Sequence, residues 1–191
     1  EEGEHNGITF RLTPRYGNSS FDVIWMDYLP FDQVAQTSEW WDDNSQELLA
    51  AFNEVVSCLT RLNTNYLDYQ NDPIGGDGHA FMFWDWCTPR DGVTQAAVAA
   101  QRREFVQGLS DDGVRGASMR MYPFVGNRNS FGQFAEVFVS PDWAAIAAYH
   151  EYVATGGWRD AVDYNEKVAQ CIGQNLYDLT LLNRPHTPWA E

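Results

Sequence analysis

Basic residues are scarce in this 191-residue chain: twelve stand against 27 acidic ones, and only Lys167 among them is a lysine. The formal charge of −15 excludes functions that need a basic surface, namely nucleic-acid binding and docking to anionic lipid. No apolar run approaches the ~18 residues of a helical membrane span, so no membrane span is expected. No two of the four histidines have ligand spacing, and Cys58, Cys87 and Cys171 fit no metal pattern, so neither metal nor cofactor is expected. Three cysteines allow at most one intramolecular disulfide. Buried free thiols are the expectation, because free cysteine packs as a small hydrophobe. The chain opens Glu1-Glu2-Gly3, without an initiator methionine or a signal-peptide run. That start is expected after processing, after a cut, or downstream of a missing segment. The acid-rich, arginine-over-lysine balance leans towards an extracytoplasmic setting, periplasmic or secreted.

What the chain does have is apolar material. At 44% hydrophobic residues it can build a real core, in one large domain or two small ones. It also carries an internal repeat. Residues 9–36 match residues 118–147 in order: Arg11 meets Arg120, Pro14 meets Pro123, Gly17-Asn18 meets Gly126-Asn127, and Pro30 meets Pro141. Further on, 51–58 answers 163–171, and 64–69 answers 174–179.

The repeated unit decodes into elements. TFRLTPR and SMRMYPFV alternate with period two, as strands with one buried face do. The Gly-Asn pairs predict turns into the strands FDVIWMDY and FAEVFVS. Pro30 and Pro141, each followed closely by aspartate, predict helix starts. Gly156-Gly157 interrupts the later helix before Trp158 restarts it, and each unit closes on a strand, 64–69 and 175–182. The segment 73–78 reads as a linker between a first unit, 1–72, and a second, 79–191. The second opens with the strand 79–86 and a helix from about Asp91 to Leu109, giving β-α-β-β-α-β, the ferredoxin-like order. The first unit has only β-β-α-β, and its leading β-α is expected upstream of Glu1.

With Pro-Asp-Trp (141–143) opening the last helix and Gly-Gly-Trp (156–158) breaking it, the chain resembles the dimeric α+β barrel superfamily. That group includes antibiotic-biosynthesis-type monooxygenases and NIPSNAP-like proteins. The resemblance implies an α+β fold: tandem ferredoxin-like units whose sheets face one another as an intrachain barrel, the first unit lacking its leading β-α. Its members include cofactor-free oxygenases, haem-handling enzymes and plain ligand binders, and no catalytic residue carries over from it.

Strand alternation nominates site residues. His79, Phe81, Phe83 and Asp85 share one face of their strand; Arg120 and Tyr122, then Glu136 and Phe138, share the matching face of the next two. In the first unit Arg11, Trp25 and Asp27 fall on that face. The mixed aromatic and charged faces are expected to line the barrel and the aliphatic faces to pack under helices. Asp85 is the expected base, with His79 as the alternative; Arg120, Arg11, Tyr122, Glu136, Phe83, Phe138, Trp25 and Asp27 are the expected ligand-binding set. The plainer alternative is that Arg11 and Arg120 form buried ion pairs with no ligand. Three functions follow as expectations: a binder of a small aromatic or apolar molecule with oxygenase-like potential, an interaction protein whose open sheet edge another chain or a second copy completes, and, third, a haem binder.

Overall fold

The computed structural model describes residues 7–17, 19, 21–57, 62–125 and 133–184. Cys58, His5, His186 and the Gly126-Asn127 turn lie outside them. The elements run β1 (Ile8–Tyr16), β2 (Ile24–Tyr28), α1 (Phe31–Asn44), α2 (Gln46–Val55), β3 (Leu62–Asn71), β4 (His79–Pro89), α3 (Gln95–Asp111), β5 (Gly116–Val125), β6 (Phe134–Ser140), α4 (Trp143–Tyr152), α5 (Trp158–Lys167) and β7 (Ala169–Asn183). A π-type turn, Val153–Gly157, joins α4 to α5 at the Gly-Gly pair. α3 begins at Gln95, later than its expected start near Asp91. Asp91 and Gly92, the latter at φ +76°, form a turn, and the Thr94 side chain caps the helix by accepting from the Ala97 N–H at 3.2 Å.

The seven strands among the described residues form one antiparallel sheet in the order β2-β1-β7-β4-β6-β5-β3. The strands of residues 79–183 occupy its middle, and those of the N-terminal segment split: β1 and β2 extend it beyond β7, β3 beyond β5. The two repeated prolines take equivalent places. Pro14 sits at a register shift where β1 meets β7, and Pro123 at one where β5 meets β3. A strand proline cannot donate to the ladder, so it is tolerated at such irregularities. The repeat does not extend to register. Arg11 stands opposite Thr180, whereas Arg120 stands opposite Tyr66.

The sheet curls. The Tyr28 hydroxyl on β2 meets the Met119 sulfur on β5 at 3.4 Å. Those strands are five places apart, about 24 Å across a flat sheet. Only strong curvature towards their common face brings them together, so that face is concave. It carries an apolar cluster built almost wholly from the sheet itself, including Leu12, Met82, Trp84, Val137, Met121 and Leu179. Each such fully buried side chain contributes roughly 1.5–3 kcal/mol.

The convex face lies under α3, α4 and α5. Val98 and Tyr164 join Cys87 and Phe134 in one cluster, and Phe105, Val106 and Leu109 join Phe138 in another. This reverses the sequence expectation: the aliphatic faces line the interior, and the mixed aromatic and charged faces pack beneath helices. The reason is visible in α3, whose buried stripe Val98, Arg102, Phe105, Val106 and Leu109 carries its own arginine. A helix with a charged member in its apolar stripe requires acids opposite it. α1 and α2 differ: α1 buries none of its residues, and Phe52 and Val55 of α2 stand exposed. No helix among the described residues is long and apolar enough to cross a membrane.

Candidate functional site

The register of the central strands sets four side chains in one transverse row. Asp85 on β4 faces Glu136 on β6, Glu136 faces Arg120 on β5, and Arg120 faces Tyr66 on β3. Because the side-chain period in strands is two, all four project to the convex face, beneath the helices. A bulge in β3 between Leu67 and Tyr69 places Asp68 beside Arg120. The pair is bidentate, Nε to Oδ2 and Nη2 to Oδ1 both at 2.7 Å, and both side chains are buried. Arg120 also donates to the Tyr122 hydroxyl at 3.3 Å.

α3 delivers the second arginine. Arg102 reaches Glu136 Oε2 at 3.2 Å and donates to Ser118 Oγ at 2.8 Å. α5 contributes the Tyr164 hydroxyl, which donates to Glu136 Oε1. Burial, and then the neighbouring Glu136, push the Tyr164 phenol above its ordinary range, so it stays protonated.

Two arginines thus meet three carboxylates. Asp68 pairs with Arg120 and Glu136 with Arg102, whose Nε is nevertheless buried without a partner among the described residues, and Asp85 is the surplus acid. Its Oδ1 is buried without a hydrogen-bond partner among the described residues. Burial first, and then the Glu136 charge, push its carboxyl up to about 6; backbone N–H groups of Gly173, Ile172 and Trp86 pull the other way. The Gly173 and Ile172 donors come from a register irregularity in β7 opposite Asp85, where Gly173 adopts φ +101°. A carboxyl held near 6 exchanges its proton close to neutral pH, as a general acid or base must.

Beside it lies a bond that departs from the cysteine expectation. Cys87 and Cys171, directly opposed on β4 and β7, form a disulfide with Cα atoms 4.0 Å apart. Strand pairing itself puts the two sulfurs in reach, which spacing along the chain does not reveal. A carboxylate oxygen of Asp85 and both sulfurs lie within 4.8 Å of one another.

The other nominated residues divide. Phe83 and Phe138 form the next row, with Phe138 stacked on Tyr149 in the helix-covered core. Tyr122 stacks on Phe134. His79 is exposed at the start of β4, six residues from Asp85 and thus about 20 Å along the strand. Arg11 is exposed and stands in register between Trp25 and Thr180 rather than in a buried ion pair; Arg15 instead pairs with Asp178, at 2.5 Å. Trp25 is 60% exposed, and Asp27 accepts from the Thr9 hydroxyl at 2.7 Å. Sequence reasoning missed Arg102, Asp68, Tyr164 and the disulfide. Arg102 had a signal, since it occupies an apolar-stripe position of a helix.

On the concave side, Trp84 Nε1 and Asn65 Oδ1 are buried and have no hydrogen-bond partner among the described residues. Asn65 faces Met121, which places it on that same interior face. No family model matches the chain, and neither a curated protein nor a solved structure matches it.

Proposed function

We propose that the chain is a strand-accepting α+β barrel module, an interaction protein whose curled sheet takes an extended segment of another polypeptide between β2 and β3. The observation that carries this reading is the Tyr28–Met119 contact. It draws the β2 edge back towards β5, whose outer neighbour is the opposite edge, β3. Numbered within residues 79–183, the central strands run fourth, first, third, second, the order of a ferredoxin-like unit. The repeat then assigns β1, β2 and β3 to the second, third and fourth places of a like unit. The vacant place is that of a first strand, between β2 and β3. The occupant therefore has the pattern of β4, with apolar and aromatic residues on both faces. Strand addition supplies backbone hydrogen bonds to both open edges, and Trp25 and Val23 near one edge and Tyr66 and Leu67 on the other stand exposed to meet it.

The test uses a synthetic peptide with the β4 sequence, its cysteine replaced by serine and a lysine tail added for solubility. It is expected to bind, to slow amide exchange in both β2 and β3, and to lose affinity when Leu67 is changed to Lys. Absence of binding, or binding that leaves both edges unprotected, would contradict the reading.

A second reading, a small-molecule binder, draws on the unpaired Trp84 Nε1 and Asn65 Oδ1, a donor and an acceptor on the interior face. A small guest carrying both hydrogen-bonding functions would satisfy them. Native mass spectrometry of protein purified from its source tests it: a retained small molecule supports the reading, and bare protein counts against it.

A further inference from the structure

We propose that Cys87–Cys171 is an exchangeable disulfide that reacts with dithiols at Cys171, with Asp85 as the group that gives and takes the proton of Cys87. This is independent of the strand-accepting reading.

Three observations carry it. First, the two residues are unequal: Cys87 is fully buried, whereas Cys171 is partly exposed at the margin of the cluster that encloses Cys87. An external thiolate therefore reaches Cys171, and Cys87 is the leaving sulfur. Second, a thiolate released at Cys87 would form in a low-dielectric pocket among Val98, Phe134 and Tyr164, which disfavours it unless a proton is at hand. Asp85, two residues away on the same strand face, supplies one from within 4.8 Å. Third, a recess of about 180 Å³ lined by Thr88, Pro89, Arg90, Asp91 and Gln170 opens one step further along both strands, giving a thiol-bearing molecule somewhere to sit.

The step balances. A thiolate of the dithiol attacks Cys171 Sγ, forming a mixed disulfide; the Cys87–Cys171 bond breaks, and its electron pair goes to Cys87 Sγ, which takes the Asp85 proton. The second thiol of the reductant then attacks the mixed disulfide, releasing Cys171 as a thiol and the reductant as a cyclic disulfide. The protein gains two thiols, the dithiol loses two hydrogens, and Asp85 is reprotonated from solvent. In the reverse direction the two protein thiols reduce a disulfide and Cys87–Cys171 re-forms.

The groups facing Asp85 are Glu136 from β6, Arg102 from α3 through Glu136, Tyr149 from α4 and Tyr164 from α5; β7 presents Gln174 and backbone N–H groups. Burial raises both tyrosines above their ordinary value, so neither titrates between pH 5 and 8. Asp85, at about 6, does.

The experiment follows reduction of the folded protein by dithiothreitol, in a Cys58→Ser background, counting alkylated thiols by mass. After correction for the fraction of reductant present as thiolate, the rate constant is expected to fall about tenfold or more from pH 5 to pH 8. Asp85→Asn is expected to flatten that profile and to slow reduction at pH 5 by a similar factor. A corrected profile that is flat in the parent protein would overturn the proposal, even if the variant does not fold. So would reduction at a rate independent of dithiothreitol and equal to the unfolding rate, which marks a purely structural disulfide. In single-thiol variants, Cys87→Ser is expected to leave a Cys171 that reacts with an aromatic disulfide at least tenfold faster than the Cys87 left by Cys171→Ser. The opposite order would overturn the assigned attack site.

Discussion

Two arginines and three carboxylates meet beneath α3 and α5, and burial, followed by the nearby Glu136 charge, keeps Asp85 protonated at mildly acidic pH. Its carboxyl is raised to about 6 from an ordinary 3.8, so between roughly pH 4 and 6 the folded protein keeps a proton that the unfolded chain has released. That contribution to stability is fully present below pH 4 and is lost as pH rises through 6. Asp85→Asn removes it. Urea midpoints measured from pH 4 to 7 should therefore shift in the variant's favour relative to the parent protein as pH rises; a constant difference would contradict the assignment. The arginines make a second contrast. Arg120 is buried in a bidentate pair, so Arg120→Ala strands the Asp68 charge and should cost ~3–5 kcal/mol. Its repeat partner Arg11 is exposed, and Arg11→Ala should stay within ~0.5 kcal/mol. Equal losses in denaturation experiments would refute the view that these two sequence-matched arginines stand in different surroundings.

The helices divide into two groups by what they cover. α3 buries Val98, Arg102, Phe105, Val106 and Leu109 against the sheet, whereas α1 buries nothing. Amides of α1 should accordingly exchange with deuterium orders of magnitude faster than the central amides of α3; comparable protection would show α1 docked against another surface. At this scale much of the chain was legible. The Pro30 and Pro141 helix starts, the Gly156-Gly157 break and the strands around Arg11, Asp85, Arg120 and Glu136 follow from turn chemistry and period-two patterning, which are local. Which face of each strand met helices was not legible, because the charges of the mixed face, Asp85, Arg120 and Glu136, suit a barrel interior as well as they suit a helix that carries its own arginine. The decision rests with Arg102, a residue on another element whose position in the apolar stripe of α3 draws the acids to its side. Nor was the disulfide legible. Cys87 and Cys171 are 84 residues apart, and only the pairing of β4 with β7 opposes them.

At the scale of the whole molecule, the split of the N-terminal strands to both edges of one sheet is the organising feature. The curl accounts for Tyr28 touching Met119 across five strands. The strand-accepting reading depends on that curl, since a flat sheet would hold β2 and β3 too far apart to share one guest strand. Nitroxide labels at Trp25→Cys on β2 and Leu67→Cys on β3, both exposed positions, test it directly by electron paramagnetic resonance in a Cys58→Ser background. The curled sheet predicts a separation under about 20 Å, while a distance of about 30 Å or more, the span of six strand steps laid flat, would contradict it.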